Sequence, residues 1–400
     1  MEGRKRIAMI LLARSKIRFF LVLVTLFVIQ ARRERVVFGQ GSDQQRQIHR
    51  SIRQGLDYLF SQQEKEGGFR SSYYGNLKGG AGVTALVLFA ISGSDTKYLD
   101  AHGESIRQAF GFLRKGIRKH GFVANPSGPD YAVYSTALLL LADSNLCRHP
   151  TPRAWQGSLL ENDERLALQK FLCQAQLGEV HQIKAATADY GGWDLSGWML
   201  GPRVSRGTNV SVTSFAVWAL AEDQSEAAKI ARSRSRKWLS GVQNPDGGFH
   251  FHPVKNHVGN KAGWSDNLHH QPISYGTATS DGLRMMRKLN YRKDDMKTAR
   301  QWIESRRFRG VVPGFETLPS ADADYSWKKG LRFYHCMSLA IESRFLSLEF
   351  QKEAKMDIQN FLLQNQKRDG FWSNKNARMR EDDPMIATSF ACIALTYLGP

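Results

Sequence analysis

Four cysteines in 400 residues are too few for a disulfide framework. Cys147, Cys173, Cys336 and Cys392 show no C-x-x-C spacing, so a thiolate zinc site has no support. Cys336 and Cys392 lie in apolar helical runs and read as small core residues. Cys147 and Cys173 are free to pair only in an oxidising compartment, which sequence alone leaves open. Also missing are a phosphate loop, a G-x-S-x-G elbow, an H-E-x-x-H pair, a dinucleotide fingerprint and a Cys-Gly-Glu-Gln thioester motif. Acidic residues are in short supply, 37 against 56 lysines and arginines, for a formal net charge of +19. What is present is ordinary: 42% hydrophobic, 23% charged and 11% aromatic residues exclude wholesale disorder and a polytopic membrane protein.

Nine of the basic residues fall within the first 36 positions, against only Glu2 and Glu34. Behind Arg4, Lys5, Arg6, Arg14, Lys16 and Arg18 runs the apolar stretch from Phe19 to Ile29. It is too short to cross a bilayer comfortably but suits the hydrophobic region of a secretory signal. Val37-Phe38-Gly39 offers a cleavage position before Gln40. Arg32, Arg33 and Arg35, directly after the run, are atypical for a signal and keep an uncleaved membrane anchor or an over-extended start of the reading frame as rivals. Residues 1–40 are therefore expected to export the chain or tether it outside the cytoplasm. The body retains about +12, which no nucleic-acid motif accompanies, so a solvated basic surface is expected.

The remainder is written in repeats. An amphipathic helix ending in glutamine precedes a Gly-aromatic turn, a variable loop and a more apolar helix. Gln63 precedes Gly67-Gly68-Phe69, Gln243 precedes Gly247-Gly248-Phe249, and Gln366 precedes Gly370-Phe371-Trp372. In each the aromatic Phe69, Phe249 or Trp372 lies six residues after the glutamine. Weaker copies end at Gly121-Phe122, Gly191-Gly192-Trp193 and Gly314-Phe315. The second helices align on Thr84, Thr136, Thr213, Thr279 and Thr388, with Ser338 in the fifth place. They are apolar around most of their circumference and are expected to be buried on several sides, while the first helices carry a polar face, as at Arg46, Gln47, Arg50 and Arg53. The glutamine is expected to satisfy free backbone groups at a helix end with the ring stacked on it. A hairpin of this kind cannot bury its apolar face alone, and six of them have enough material to close a ring.

The phrase Gln366-Lys-Arg-Asp-Gly370-Phe371-Trp372 resembles the repeat signature of squalene-hopene cyclases and the β subunits of protein prenyltransferases. The resemblance spans about residues 44–398 and implies an all-α fold, a single (α/α)6 toroid of six helical hairpins. It also implies a central cavity that holds an apolar, isoprenoid-like molecule. The chain departs from the family's chemistry. No D-x-D-D acid motif occurs; the nearest phrase is Asp322-Ala323-Asp324-Tyr325. The D-x-C of the zinc-dependent prenyltransferases is absent as well, since Asp324 stands where cysteine would be. His335 resembles the zinc histidine's setting, but it falls in the same hairpin as Asp324. No metal and no cofactor is expected.

Four side chains are candidates for acid–base chemistry. Asp281 stands two residues after its threonine, where other copies carry Leu86, Leu138, Phe215 and Phe390. A carboxyl at such an apolar position gains pKa and becomes a proton donor to an alkene or leaving group; a structural bridge to Arg284 is the alternative. His335 replaces the Ala81, Val133, Val210, Gly276 and Met385 of the other copies, as a base or ligand or as a hydrogen-bonded core residue. Asp322 and Asp324 precede an inner helix and read as acids or as helix caps, with Asp382 and Asp383 ahead of Pro384 in the capping sense. Tyr131, Trp198, Trp264, Tyr275 and Tyr325 lie in loops or at helix starts and would offer π faces to an apolar or cationic ligand. Five histidines between His250 and His270 match no ligand spacing. Three functional readings follow: a toroid binding an apolar ligand, a cyclase-like enzyme with Asp281 or Asp324 as acid, and a scaffold whose basic rim binds a protein or anionic polymer.

Overall fold

The computed structural model describes residues 43–124, 131–149, 159–196, 207–255, 260–265, 271–316 and 326–399. The chain divides into two compact units, residues 1–50 with Pro400 and residues 51–399. Of the smaller unit, residues 43–50 are described and open helix α1, Asp43–Ser61. The expected signal or anchor over residues 1–40 lies outside the described residues. Among the described residues no helix is long and apolar enough to cross a membrane.

Inner helices α2 (Ala81–Ile91), α5 (Ala132–Cys147), α7 (Val210–Ala219), α9 (Gly276–Lys288), α12 (Arg332–Ser343) and α14 (Pro384–Leu398) carry the aligned threonines and Ser338. Each packs against the next in chain order, and α14 packs back on α2, so the larger unit closes into a ring. Outside them lie α4 (Gly103–His120), α6 (Asn162–Ala175), α8 (Glu226–Ser240), α10 (Lys297–Glu304) and α13 (Leu348–Asn365), with the short helices α3 (Thr96–Ala101) and α11 (Trp327–Gly330) as connections. The only strands among the described residues are Trp264–Ser265 and Gln271–Pro272, a two-residue antiparallel pair. The fold is all-α.

The division of labour follows from sequence. Helix α2 presents apolar residues in every direction and buries nearly all of them, as an inner wall must. Helix α4 keeps Ile106, Phe110, Leu113 and Ile117 inward and closes with Arg118, Lys119 and His120 beside its C-terminal carbonyls. Asp383 caps α14, accepting from the Met385 N–H at 2.9 Å with Pro384 in the first turn, as its position ahead of the proline suggested. Cys336 and Cys392 are buried, Cys173 is half-buried and Cys147 is exposed.

The repeated residues form the joints. Each threonine side chain accepts a hydrogen bond from the backbone N–H of its turn: Phe69 to Thr84 (2.8 Å), Val123 to Thr136 (3.1 Å), Trp193 to Thr213 (3.1 Å), Phe249 to Thr279 (3.0 Å) and Trp372 to Thr388 (3.0 Å). The glutamines do more than finish their own helices. Gln63 Nε2 donates to the Gly67 carbonyl at 2.9 Å and to Ser105 of the next outer helix at 2.7 Å. Gln176 repeats this with Gly191 and Ala231, and Gln366 with Gly370 and Ser51. One side-chain amide thus ties a turn to the following hairpin, and Gln366 ties the sixth hairpin to the first. Gly370 is required at that seam. Its φ is +89°, and a Cβ there would lie 2.7 Å from the Gln54 carbonyl oxygen.

Candidate functional site

One cavity of about 560 Å³ lies inside the ring. Its wall is mostly apolar, with Leu77, Val83, Leu86, Leu138, Phe251 and Phe390 contributing. Positions two before and two after the aligned threonine supply the wall: Gly82 and Leu86 from α2, Tyr134 and Leu138 from α5, Ile386 and Phe390 from α14. An i, i+4 pair shares one helix face, so one register presents the same two positions to the axis from each of these helices.

Asp281 occupies that register in α9, and its carboxylate is covered. Arg284, one turn on, donates to it, as does Ser338 of α12 at 2.6 Å. The Tyr334 hydroxyl donates to its other oxygen at 3.1 Å. Tyr334 also bonds Tyr134 (2.6 Å) and Ser211, which are themselves linked at 3.0 Å and both line the cavity. A continuous polar network therefore joins α5, α7, α9 and α12, with Asp281 one hydroxyl behind the wall. Burial pushes the Asp281 carboxyl above its usual 3.8, against the opposing pull of Arg284 and the hydroxyl donors. Burial likewise raises the Tyr134 and Tyr334 phenols, which remain neutral. The Arg284 guanidinium is fully buried over the Phe215 ring, 4.8 Å from its centroid, and its Nε and Nη1 have no hydrogen-bond partner. The bridge foreseen between Asp281 and Arg284 is present.

The other sequence candidates fall in different places. Tyr131 lines the cavity beside Arg380, which hydrogen-bonds it. His335 is buried behind the wall, its Nδ1 3.3 Å from the Thr277 hydroxyl and its ring 5.1 Å from that of Phe308. Burial holds its imidazole down to about 3, so it is neutral. Gly276 makes room for it, since a Cβ there would meet the imidazole Cε1 at 2.8 Å. Tyr275 is buried with its ring 5.2 Å from that of Phe315, and Trp264 is half-buried, donating to the Lys255 carbonyl at 2.5 Å; neither contributes to the cavity wall. Asp322, Asp324, Tyr325 and Trp198 lie outside the described residues, as do His257, His269 and His270. No cluster of metal-ligating side chains is found among the described residues.

Sequence reasoning passed over three cations. Lys261, Arg378 and Arg380 all line the cavity. The Lys261 ammonium lies 3.8 Å from the Phe251 centroid and 4.5 Å from that of Trp327. Burial brings its pKa down to about 7, while Asp281 and Glu381 pull it up. No local pattern marks this lysine. The one available signal was that Phe251, two residues past the Phe249 of the repeat, continues the turn toward the axis.

Comparison with known proteins agrees with this architecture. Residues 157–266 match the model of the prenyltransferase alpha-alpha toroid domain. No curated protein matches the sequence. Among solved structures, a variant of the type II terpene cyclase MstE from Scytonema, in complex with merosterolic acid A, is 17% identical, with 89% of this chain and 98% of that one covered and a TM-score of 0.52. Another MstE variant, in complex with the substrate geranylgeranyl dihydroxybenzoate, is 16% identical over 89% and 97%, with a TM-score of 0.50. The GH76A alpha-1,6-mannanase of Salegentibacter is 14% identical over 89% and 99%, with a TM-score of 0.54. At such identities the likeness concerns fold. The ring of inner helices, the turn signature and these matches agree on an alpha-alpha toroid fold, similar to that of the type II terpene cyclases.

Proposed function

We propose that this toroid binds an apolar, isoprenoid- or lipid-like molecule in its central cavity, outside the cytoplasm. The observation that carries the reading is the wall itself: a cavity of about 560 Å³ surrounded chiefly by leucine, valine, isoleucine and aromatic carbons, a size and lining usual for small-molecule sites. Terpene cyclases of this fold bind isoprenoid substrate and product, which supports the reading. The mannanase shares the fold, but an oligosaccharide needs a dense set of hydrogen-bonding groups, and this wall supplies few. Export or tethering rests on the basic head and the run from Phe19 to Ile29; N-terminal sequencing of protein recovered from cells tests it.

A second reading, a cyclase-like enzyme drawing on Asp281, is favoured by the hydroxyl chain from that carboxylate through Tyr334 to Tyr134 and Ser211 at the wall. The guanidinium against Asp281 weighs on the side of binding, because it stabilises the carboxylate rather than the acid. Native mass spectrometry of the protein purified from its source tests the main reading. Retained lipid-sized mass, lost in a Leu138→Trp variant that fills the cavity, is the expected result. An empty protein that also fails to take up apolar probes refutes it.

A further inference from the structure

Charge in the cavity is of one sign. Lys261, Arg378 and Arg380 line it, and no aspartate or glutamate does so among the described residues. Two of the three cations are already engaged. Arg380 stacks over Tyr74, 3.8 Å from its centroid, and hydrogen-bonds Tyr131 and Tyr74. Arg378 lies over Trp327 at 5.6 Å and has a further partner. Lys261 has two ring faces, but among the described residues no carboxylate lies within ion-pair reach of it and no oxygen accepts from it. An ammonium held by two π faces in a mostly apolar wall, with no counter-charge among the described residues, is open to an anionic partner from the cavity. The site is thus an apolar cavity with one cation on its wall that no carboxylate of the described residues pairs.

We infer that the cavity's ligand is an amphiphilic acid, an apolar chain ending in a single carboxylate that pairs with Lys261. This rests on the apolar-ligand reading above and adds its headgroup. One unpaired ammonium balances one negative charge. A neutral alcohol would leave the lysine without a counter-charge, and Arg378 and Arg380 already lie against aromatic rings, so Lys261 is the cation best placed for a single carboxylate. The chain of the ligand lies against Leu86, Leu138 and Phe390, while the carboxylate accepts a charge-assisted hydrogen bond from the Lys261 ammonium.

The experiment titrates the full chain with palmitic acid, hexadecanol and hexadecyl phosphate by calorimetry. The acid is expected to bind at least tenfold more tightly than the alcohol. Lys261→Met is expected to erase that preference, and Lys261→Arg is expected to restore it in part. Equal affinity for acid and alcohol overturns the headgroup assignment and leaves the apolar site standing. A preference that survives Lys261→Met overturns it too, as does tighter, Lys261-dependent binding of the phosphate. If none of the three binds, the apolar-ligand reading falls first. The comparison of acid with alcohol uses the unaltered protein, so it decides the matter even where a Lys261 variant does not fold.

Discussion

Removing the Asp281 carboxylate tests whether the polar network behind the cavity is scaffold or machinery. Asp281 and Arg284 are both about fully buried, and among the described residues no other carboxylate is bonded to Arg284. Asp281→Asn keeps the shape but leaves a buried guanidinium, already lacking partners at Nε and Nη1, without its counter-charge. Breaking a buried pair in this way costs about 3–5 kcal/mol, a fifth or more of a typical domain's stability of roughly 5–15 kcal/mol. Replacing both partners is a different perturbation. Asp281→Leu with Arg284→Met installs at position 281 the leucine that α2 and α5 carry at Leu86 and Leu138. It removes two desolvation penalties together, so the double variant is expected within about 1.5 kcal/mol of the parent or above it. The Ser338 hydroxyl is then free to turn back to a helix carbonyl. Urea unfolding of the three proteins, with the slope compared to confirm an unchanged transition, reads the difference. A double variant as unstable as the single one, or a single one that costs under about 1 kcal/mol, refutes the network as drawn.

Two further outcomes bear on the ring and on pH. Gly370→Ala combines a left-handed φ of +89° with a clash on Gln54, whereas Gly121→Ala has a φ of +76° and nothing within 4 Å. The backbone term of about 1–2 kcal/mol applies to both, and overpacking adds roughly 1–3 kcal/mol at Gly370 only, so equal denaturation midpoints would argue against a tight seam. His335 binds its proton at about pH 3 in the folded chain and near 6.5 when unfolded. Stability from this site is therefore full above pH 6.5 and is lost as pH falls through the window down to 3, by up to about 4–5 kcal/mol. Buried His250, lowered to about 4, adds a similar slope, so His335→Met is expected to lower the acid-unfolding midpoint without abolishing the transition.

The architecture was legible because closing a ring of hairpins demands the same joint each time. A threonine that catches a turn N–H, a glutamine that reaches the next hairpin and a glycine with no Cβ at the contact recur because their geometry recurs. The glutamine's reach across to a neighbouring hairpin was not legible, since the Ser51 and Ser105 carbonyls bear no sequence mark. Asp281 stood out by breaking the apolar register, and Arg284 was readable one turn away. Tyr334 was not, because its hydroxyl meets Tyr134 across two hundred positions of chain. Lys261 was invisible for a related reason. Its environment is assembled from Phe251, Trp327 and the loop bearing Arg378 and Arg380, and only the closed ring brings these loops to one wall.

The departures from the repeat also explain why the cavity is one-sided. Four inner helices use the register around the threonine to line it, with Gly82, Tyr134, Ser211 and Ile386 at the position two residues before. In α9 and α12 the same register carries Thr277 with Asp281, and Cys336 with Ala340, none of which reaches the wall. There the Tyr334 side chain spans the gap, its hydroxyl held by Tyr134, Ser211 and Asp281 and its ring packed edge-on to Phe390 at 5.3 Å. A hydroxyl bonded on three sides is fixed in place, so the network sets a rigid boundary on that flank of an otherwise apolar chamber. On the proposed reading, an apolar ligand would be confined to the side formed by α2, α5, α7 and α14, alongside the loop that presents Lys261. If the proposed ligand is right, the polar network and the Lys261 ammonium have separable tasks. One would fix where the apolar chain lies and the other would meet its charged end, so loss of the first should loosen selectivity for chain shape while loss of the second removes selectivity for the head.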